Sequence, residues 1–290
     1  LVVWGMGPPL GLAALVGLGL ALVRSVRERW SSELLLLAWV VPFAAITMSF
    51  DVKFPRYLLP VYPLLILWGA AALQRWGIVS RLGRWVRAGV VAVTATYLLA
   101  FMSIYVHPHT VRTASEWYYA HVPAGSRVLS QDWDEGYPQH LPGCSPEATT
   151  VITFPFYEPD GPAKTARLAR EVAAADFIAL QTKRLYGATT QASARFPLTS
   201  NFFYLLFAGD LGYEILVDFT SRPTLLGVEL PSELADESFS VYDHPKVLIF
   251  RNQGRLPAEE IERRIRATVS SHPITRTQLV RMQGVQKRLN

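Results

Sequence analysis

LVVWGMGPPLGLAALVGLGLALV, spanning Leu1–Val23, carries no charged side chain. Its length lies in the range of about 17–25 apolar residues that a helix needs to cross roughly 30 Å of hydrocarbon. Three later stretches share the property: Leu34–Phe50, Tyr57–Gln74 and Ala88–Val106. The reading of these four runs decides the fold, because buried helices of a soluble core seldom continue so far without a charge. The sequence therefore predicts a membrane all-α bundle of four transmembrane helices over residues 1–106. Pro8, Pro9, Pro42, Pro60 and Pro63 would break soluble helices, but neighbouring helices of a bundle can satisfy the freed carbonyls.

The charge divides at the same place. Residues 1–106 carry nine Lys/Arg against three Asp/Glu, whereas residues 107–290 carry nineteen against twenty, within a net charge of +5. The basic balance thus comes from the connections between apolar runs, which argues against a nucleic-acid surface, since that needs a basic face on a folded domain. Cys144 is the one cysteine, so no intrachain disulfide forms. The first run has no basic segment or small-residue cleavage site before it, so it does not read as a signal peptide. Because the chain opens on Leu1 rather than Met, it is expected to be the C-terminal portion of a longer protein.

Orientation follows from the connections. Arg24, Arg27 and Arg29 lie between the first two runs, and Arg75, Arg81, Arg84 and Arg87 between the last two, while Lys53 and Arg56 alone stand between the second and third. Positive residues are retained in the cytoplasm. The Asp51–Arg56 loop and everything after Val106 are accordingly expected on the outer side of a cytoplasmic membrane. Trp30, Tyr57, Trp76, Trp85 and Tyr105 fall at run ends, as interfacial aromatics do.

Residues 107–254 alternate helix and strand signals. TASEWYYAH, Thr113–His121, is helical in character and stops at Val122-Pro123-Ala124-Gly125; RVLSQ, Arg127–Gln131, and TTVITF, Thr149–Phe154, read as strands. AKTARLAREVAAA, Ala163–Ala175, is an amphipathic helix with Lys164, Arg167, Arg170 and Glu171 exposed, and it feeds the strand Asp176–Gln181. Asn201–Ala208 is helical, Tyr213–Phe219 is a strand, and Ser240–Tyr242 with Lys246–Arg251 is expected as an antiparallel edge hairpin. The whole predicts an α/β extracytoplasmic domain with a mostly parallel sheet. Residues 255–290 read as a polar helix and a basic tail.

Phe50–Pro60, FDVKFPRYLLP, holds the chemistry most worth testing. Lys53 and Arg56 stand on the face opposite to the positive-inside expectation. An Arg fork with a Lys point charge suits the phosphate of an anionic lipid; interfacial snorkelling toward lipid head groups accounts for the same two cations. In the second half, Asp132-Trp133-Asp134-Glu135 offers carboxylates two apart, as a divalent site does. A solvated acidic loop reads equally from these residues, as does a sugar site in which Trp133 stacks and Asp132 or Asp134 bonds hydroxyls. His107 and His109 lack a further nearby Cys or His for zinc and read as an interfacial cap. Gly209-Asp210-Leu211-Gly212 reads as a helix C-cap.

Several of these stretches together resemble the C-terminal portion of the polytopic GT-C glycosyltransferases, of the prokaryotic family 39 and family 83 type related to protein O-mannosyltransferases and aminoarabinose transferase. They are Lys53-Phe54-Pro55-Arg56-Tyr57-Leu58-Leu59-Pro60 with Pro63, Ala114-Ser115-Glu116-Trp117, and the Val122–Ser126 turn leading to Asp132-Trp133-Asp134. Asp236-Glu237-Ser238-Phe239 and Val241–Val247 add to the likeness, which covers roughly residues 45–252. The resemblance implies transfer of a sugar from a polyprenyl-phosphate donor to a hydroxyl of a glycan, lipid or protein acceptor, with inversion. Arg56, and with it Lys53, would contact the donor phosphate as it leaves. A carboxylate base on the acceptor is expected upstream of Leu1, so none is assigned here. A lipid-phosphate donor presents no diphosphate that calls for metal, so no cofactor is expected and no divalent ion is required. Two rivals stay open: a membrane-anchored module that binds a glycan or protein, and a lipid-carrier transporter. The second would want ionisable residues within its helices, and these runs have none.

Overall fold

The computed structural model describes residues 5–28, 32–50, 55–132, 136–144, 149–230, 232, 235, 237–267 and 281. It divides into two units, residues 1–106 with 223–230, and residues 107–222 with 231–290.

The first unit is helical. α1 is Pro8–Arg27, α2 Ser32–Ser49, α3 Tyr62–Val79 and α4 Arg81–Met102, with 3-10 turns at Pro55–Leu58 and Ser103–Val106. Two helical stretches are long and apolar enough to cross a membrane: α1, and the stretch Arg81–His121 that begins with α4. The apolar part of α2, Glu33–Ser49, is shorter, and α3 carries Gln74 and Arg75 in its last turns. The predicted runs shift at their ends. α1 starts at Pro8, where proline's fixed φ suits a first helical position, and runs on through Arg24 and Arg27. Arg81, Arg84 and Arg87 lie inside α4 rather than in a connection, because arginine is a good helix former whose long stem reaches outward. Ser80 alone joins α3 to α4, and its hydroxyl accepts from the Gly83 amide at 2.8 Å as an N-cap.

α1 packs through its small residues, against larger apolar side chains such as Leu65 and Trp68. α1 buries Gly11, Ala14, Gly17 and Ala21, while Leu12, Val16, Leu20 and Val23 face outward. Small residues let helix backbones approach where lipid removes any hydrophobic drive between them. Gly17 shows the consequence, since a Cβ there would collide with the Trp68 backbone of α3; a Cβ on Gly69 would lie 2.9 Å from the Ala14 nitrogen.

The second unit is a layered α/β domain. Its helices are α5 Thr110–His121, α6 Pro162–Ala174, α7 Arg184–Gln191, α8 Pro197–Ala208, the short α9 Glu237–Ser240 and α10 Ala258–Ala267. The strands β1 Arg127–Gln131, β2 Thr150–Phe154, β3 Phe177–Leu180, β4 Tyr213–Phe219 and β7 Val247–Asn252 form one sheet in the order β2-β1-β3-β7-β4; β5 Thr224–Leu225 and β6 Val228–Glu229 make a hairpin of the first unit. β1 pairs in parallel with β2 and β3, whereas β7 is antiparallel to both β3 and β4. The sheet is therefore mixed, and the predicted mostly parallel arrangement describes only its β2-β1-β3 part.

The predicted edge hairpin is absent. Ser240 ends α9, Tyr242 lies in a turn closed by the His244 amide on the Ser240 carbonyl at 3.0 Å, and β7 runs in the sheet interior. Val247, Leu248, Ile249 and Phe250 are all buried, so β7 is apolar on both faces, as a central strand must be. The two faces separate by strict alternation. Leu129, Ile178, Leu180, Leu248 and Phe250 pack with α6, α8 and α10, while Val128, Phe177, Ala179, Val247 and Ile249 pack with α5. α7 was not predicted, since Gly187 and two threonines are weak helix formers. The Thr189 and Thr190 hydroxyls donate to the Leu185 and Tyr186 carbonyls one turn back, at 2.7 and 2.5 Å, which satisfies these buried side chains. α8 ends as predicted at Gly209: the Asp210 and Gly209 amides return to the Leu205 and Leu206 carbonyls, a Schellman pattern.

Candidate functional site

The segment joining α2 to α3 is set by prolines and one buried leucine. Pro55 opens the 3-10 turn and Pro63 lies in the first turn of α3, leaving few conformations between them. Leu58, 3 % exposed, packs with Val61, Tyr62 and Leu65 and pins the turn to the helices. Arg56 projects from this fixed turn and is exposed, its guanidinium carbon 5.7 Å from the Tyr57 ring centroid. Tyr57 meets Phe50, at the end of α2, edge to face at 6.2 Å. The arrangement gives a planar cation beside an aromatic face between two apolar helices, chemistry that suits a phosphate oxygen pair. Lys53 lies outside the described residues.

Asp132 follows β1 directly, and its amide donates to the Phe154 carbonyl of β2 at 3.1 Å. It is exposed, while Trp133 and Asp134 lie outside the described residues. Gln131, one residue earlier and 1 % exposed, donates through Nε2 to the Thr182 hydroxyl at 3.2 Å. The carboxylate of Asp132 thus sits where the parallel strands end, the position at which open α/β sheets commonly bind ligands.

The strongest polar cluster in the second unit was misread in sequence. Lys164, predicted on the solvent face of α6, is buried: its ammonium donates to the Phe156 and Glu158 carbonyls and the Thr199 hydroxyl at 2.7 Å each, and to Asp160 Oδ1 at 2.9 Å. Asp160 in turn accepts the Leu198 and Thr199 amides at 2.7 and 3.0 Å, capping α8, whose own preceding residue, Phe196, supplies no side-chain cap. Burial works to raise the Asp160 carboxyl, but the Thr199 hydroxyl and amide and the Lys164 ammonium outweigh it and hold the group below its ordinary value. The i,i+4 spacing of Asp160 and Lys164 was the signal available in sequence. A cleft of about 550 Å³ opens beside this cluster, lined by Glu158, Lys164, Arg167 and Arg170 among others. Lys164 and Arg167 are engaged within the fold, Arg167 Nη2 standing 2.6 Å from Glu158 Oε2.

His109 forms the N-cap of α5. Its Nδ1 accepts the Val111 amide at 3.3 Å, which assigns the proton to Nε2, the atom 2.9 Å from the Tyr242 carbonyl. His244 is 3 % exposed and packs edge to face on Phe239, and burial pushes its pKa down to about 4. Among the described residues, no group of three His, Cys, Asp or Glu side chains is placed to share a metal ion. No family model, curated protein or solved structure matches the chain.

Proposed function

We propose that this chain belongs to an integral-membrane glycosyltransferase of the GT-C kind, which moves a sugar from a polyprenyl-phosphate donor to an acceptor hydroxyl at the outer membrane face. The observation that carries this reading is Arg56, an exposed guanidinium on a proline-fixed turn between two apolar helices. In this reading all four helices span a cytoplasmic membrane and the α/β unit lies outside. Arg56, joined by Lys53, holds the donor phosphate and stabilises the charge that builds on it as the anomeric bond breaks. Asp132, with Trp133 and Asp134 beside it, is the candidate surface for sugar or acceptor hydroxyls. The base that takes the acceptor proton is not assigned to a residue of this chain. Donor turnover by the full-length protein with Arg56→Ala, in membranes that still contain it at normal abundance, tests the reading; unchanged turnover removes Arg56 from the site.

A membrane-anchored binding module is the second reading, favoured by the self-contained core of the α/β unit, which buries both faces of its sheet. It predicts glycan or protein binding that is indifferent to Arg56.

A further inference from the structure

The β5-β6 hairpin ends in a feature that folding alone does not explain. Leu225 pairs with Val228, so Leu226 and Gly227 are the two turn residues, with φ of 50° and 81°. Positive φ at both central positions is the geometry of a type I′ turn, where Asn, Asp or Gly is favoured because a larger Cβ crowds the backbone. Gly227 obeys that preference. Leu226 does not, and its side chain is 96 % exposed, with Val228 beside it 66 % exposed. The chain thus holds a bulky apolar residue in a disfavoured conformation and in solvent, two costs that asparagine at the same position would avoid. A backbone outlier of this kind points to a contact that the isolated fold does not contain.

The hairpin's position identifies the contact. The Thr224 amide donates to the Ser103 hydroxyl at 2.8 Å, one residue beyond the end of α4, and the Leu230 amide closes the hairpin on the Pro223 carbonyl at 2.8 Å. α4 belongs to one of the two stretches apolar enough to cross a membrane, and Met102, Tyr105 and Val106 at its exit are 50 %, 55 % and 78 % exposed. The hairpin is thus tied to the exposed apolar end of α4, and in the membrane reading of α4 side chains at that end meet the boundary between head groups and acyl chains. We propose that Leu226 and Val228 anchor the hairpin in the lipid interface, so that this excursion from the α/β unit's sequence ties that sequence to the bilayer. The proposal rests on the membrane reading of α4 and is independent of any sugar transfer.

Depth-resolved quenching tests it. The full chain with Cys144→Ser and Leu226→Cys carries a nitrobenzoxadiazole label at the tip; a second version carries it at Leu98→Cys, an outward position within α4 that is 57 % exposed. Both are reconstituted in equal parts phosphatidylcholine and phosphatidylglycerol, with a nitroxide at the top or at the end of one acyl chain. At about 5–10 Å into the boundary, the expected depth of an interfacial anchor, the tip label loses most of its fluorescence to the shallow nitroxide and less to the deep one. Water-like emission untouched by either nitroxide, with the Leu98→Cys label quenched, overturns the anchor and leaves the membrane span standing. Blue-shifted emission untouched by either nitroxide overturns it in favour of protein covering the tip. Absence of quenching at both positions removes the span, and the anchor with it.

Discussion

Lys164 Nζ stands 2.9 Å from Asp160 Oδ1, and both side chains are 6 % exposed. The pair is a structural joint rather than a reactive one, because every bond it makes is internal. Lys164 ties the loop after β2 to α6, and Asp160 supplies the cap that α8 lacks. Removing one partner leaves the other charge buried without its counter-ion, which typically costs about 3–5 kcal/mol. Lys164→Met is therefore expected to lower the unfolding free energy by about that much, read from chemical denaturation of the α/β unit's tertiary signal. Lys164→Met with Asp160→Asn should cost less than the two single changes added, since the pair acts as a unit. Additive losses would show that the two side chains are not coupled.

Arg56 is expected to separate chemistry from structure. Arg56→Ala should reduce donor turnover by about 100- to 1,000-fold, the usual loss when one donor to a developing oxyanion is removed. Arg56→Lys keeps the charge but not the planar fork and should recover part of the activity. Equal turnover by all three proteins would leave interfacial snorkelling as the role of this cation.

Gly17 reports on the helix contact in the first unit. Gly17→Leu places a side chain where the Trp68 backbone already lies, so α1 and α3 must move apart. Gly19 has open space around it, and Gly19→Leu is the matched control. The expected result is a lower melting temperature in detergent for the first variant only; equal melting would dissolve the close α1-α3 contact.

His244 gives the α/β unit a pH dependence of known sign. In the unfolded chain it titrates at its ordinary 6.5, whereas burial, with Lys183 and His109 acting in the same direction and Asp243 against them, holds it at about 4 in the fold. Between those values the unfolded chain binds the proton and the folded protein does not. Stability is therefore whole above about 6.5, falls as pH drops toward about 4, and levels off below, for a loss of roughly 3 kcal/mol. His244→Gln should flatten that part of the stability profile. A profile that keeps its full slope in the variant would assign the effect elsewhere.

The outer placement proposed for the α/β unit is testable without any substrate. Gly161 has open space at its Cβ position, so Gly161→Cys, in a Cys144→Ser background, is tolerated. Its thiol should react with a membrane-impermeant maleimide in intact cells. Reaction only after lysis would place the unit inside and deprive Arg56 of an outer-face donor.

Hydrophobic pattern carried much of this architecture in the sequence. Charge-free runs announced the helices of the first unit because their apolar content is nearly independent of what they pack against, and Arg127–Gln131 was legible to the residue as a strand through its buried Val128 and Leu129. What a residue does after the chain returns on itself was not legible. Lys164 looked like a solvent-facing cation until α8 arrived to present Thr199, and Lys246–Arg251 looked like an edge until β4 paired on the far side of β7. Periodicity reports the local environment of a segment, whereas burial of a charge, strand order and the seating of the Leu226 hairpin beside Ser103 depend on partners far away in the chain. Local pattern was enough to locate the apolar helices and most strands and to put Arg56 between two of those helices. The mixed sheet, the internal Lys164 and the turn that Leu58 pins beneath Arg56 emerged only with the folded chain, because each is set by long-range contacts rather than by local pattern.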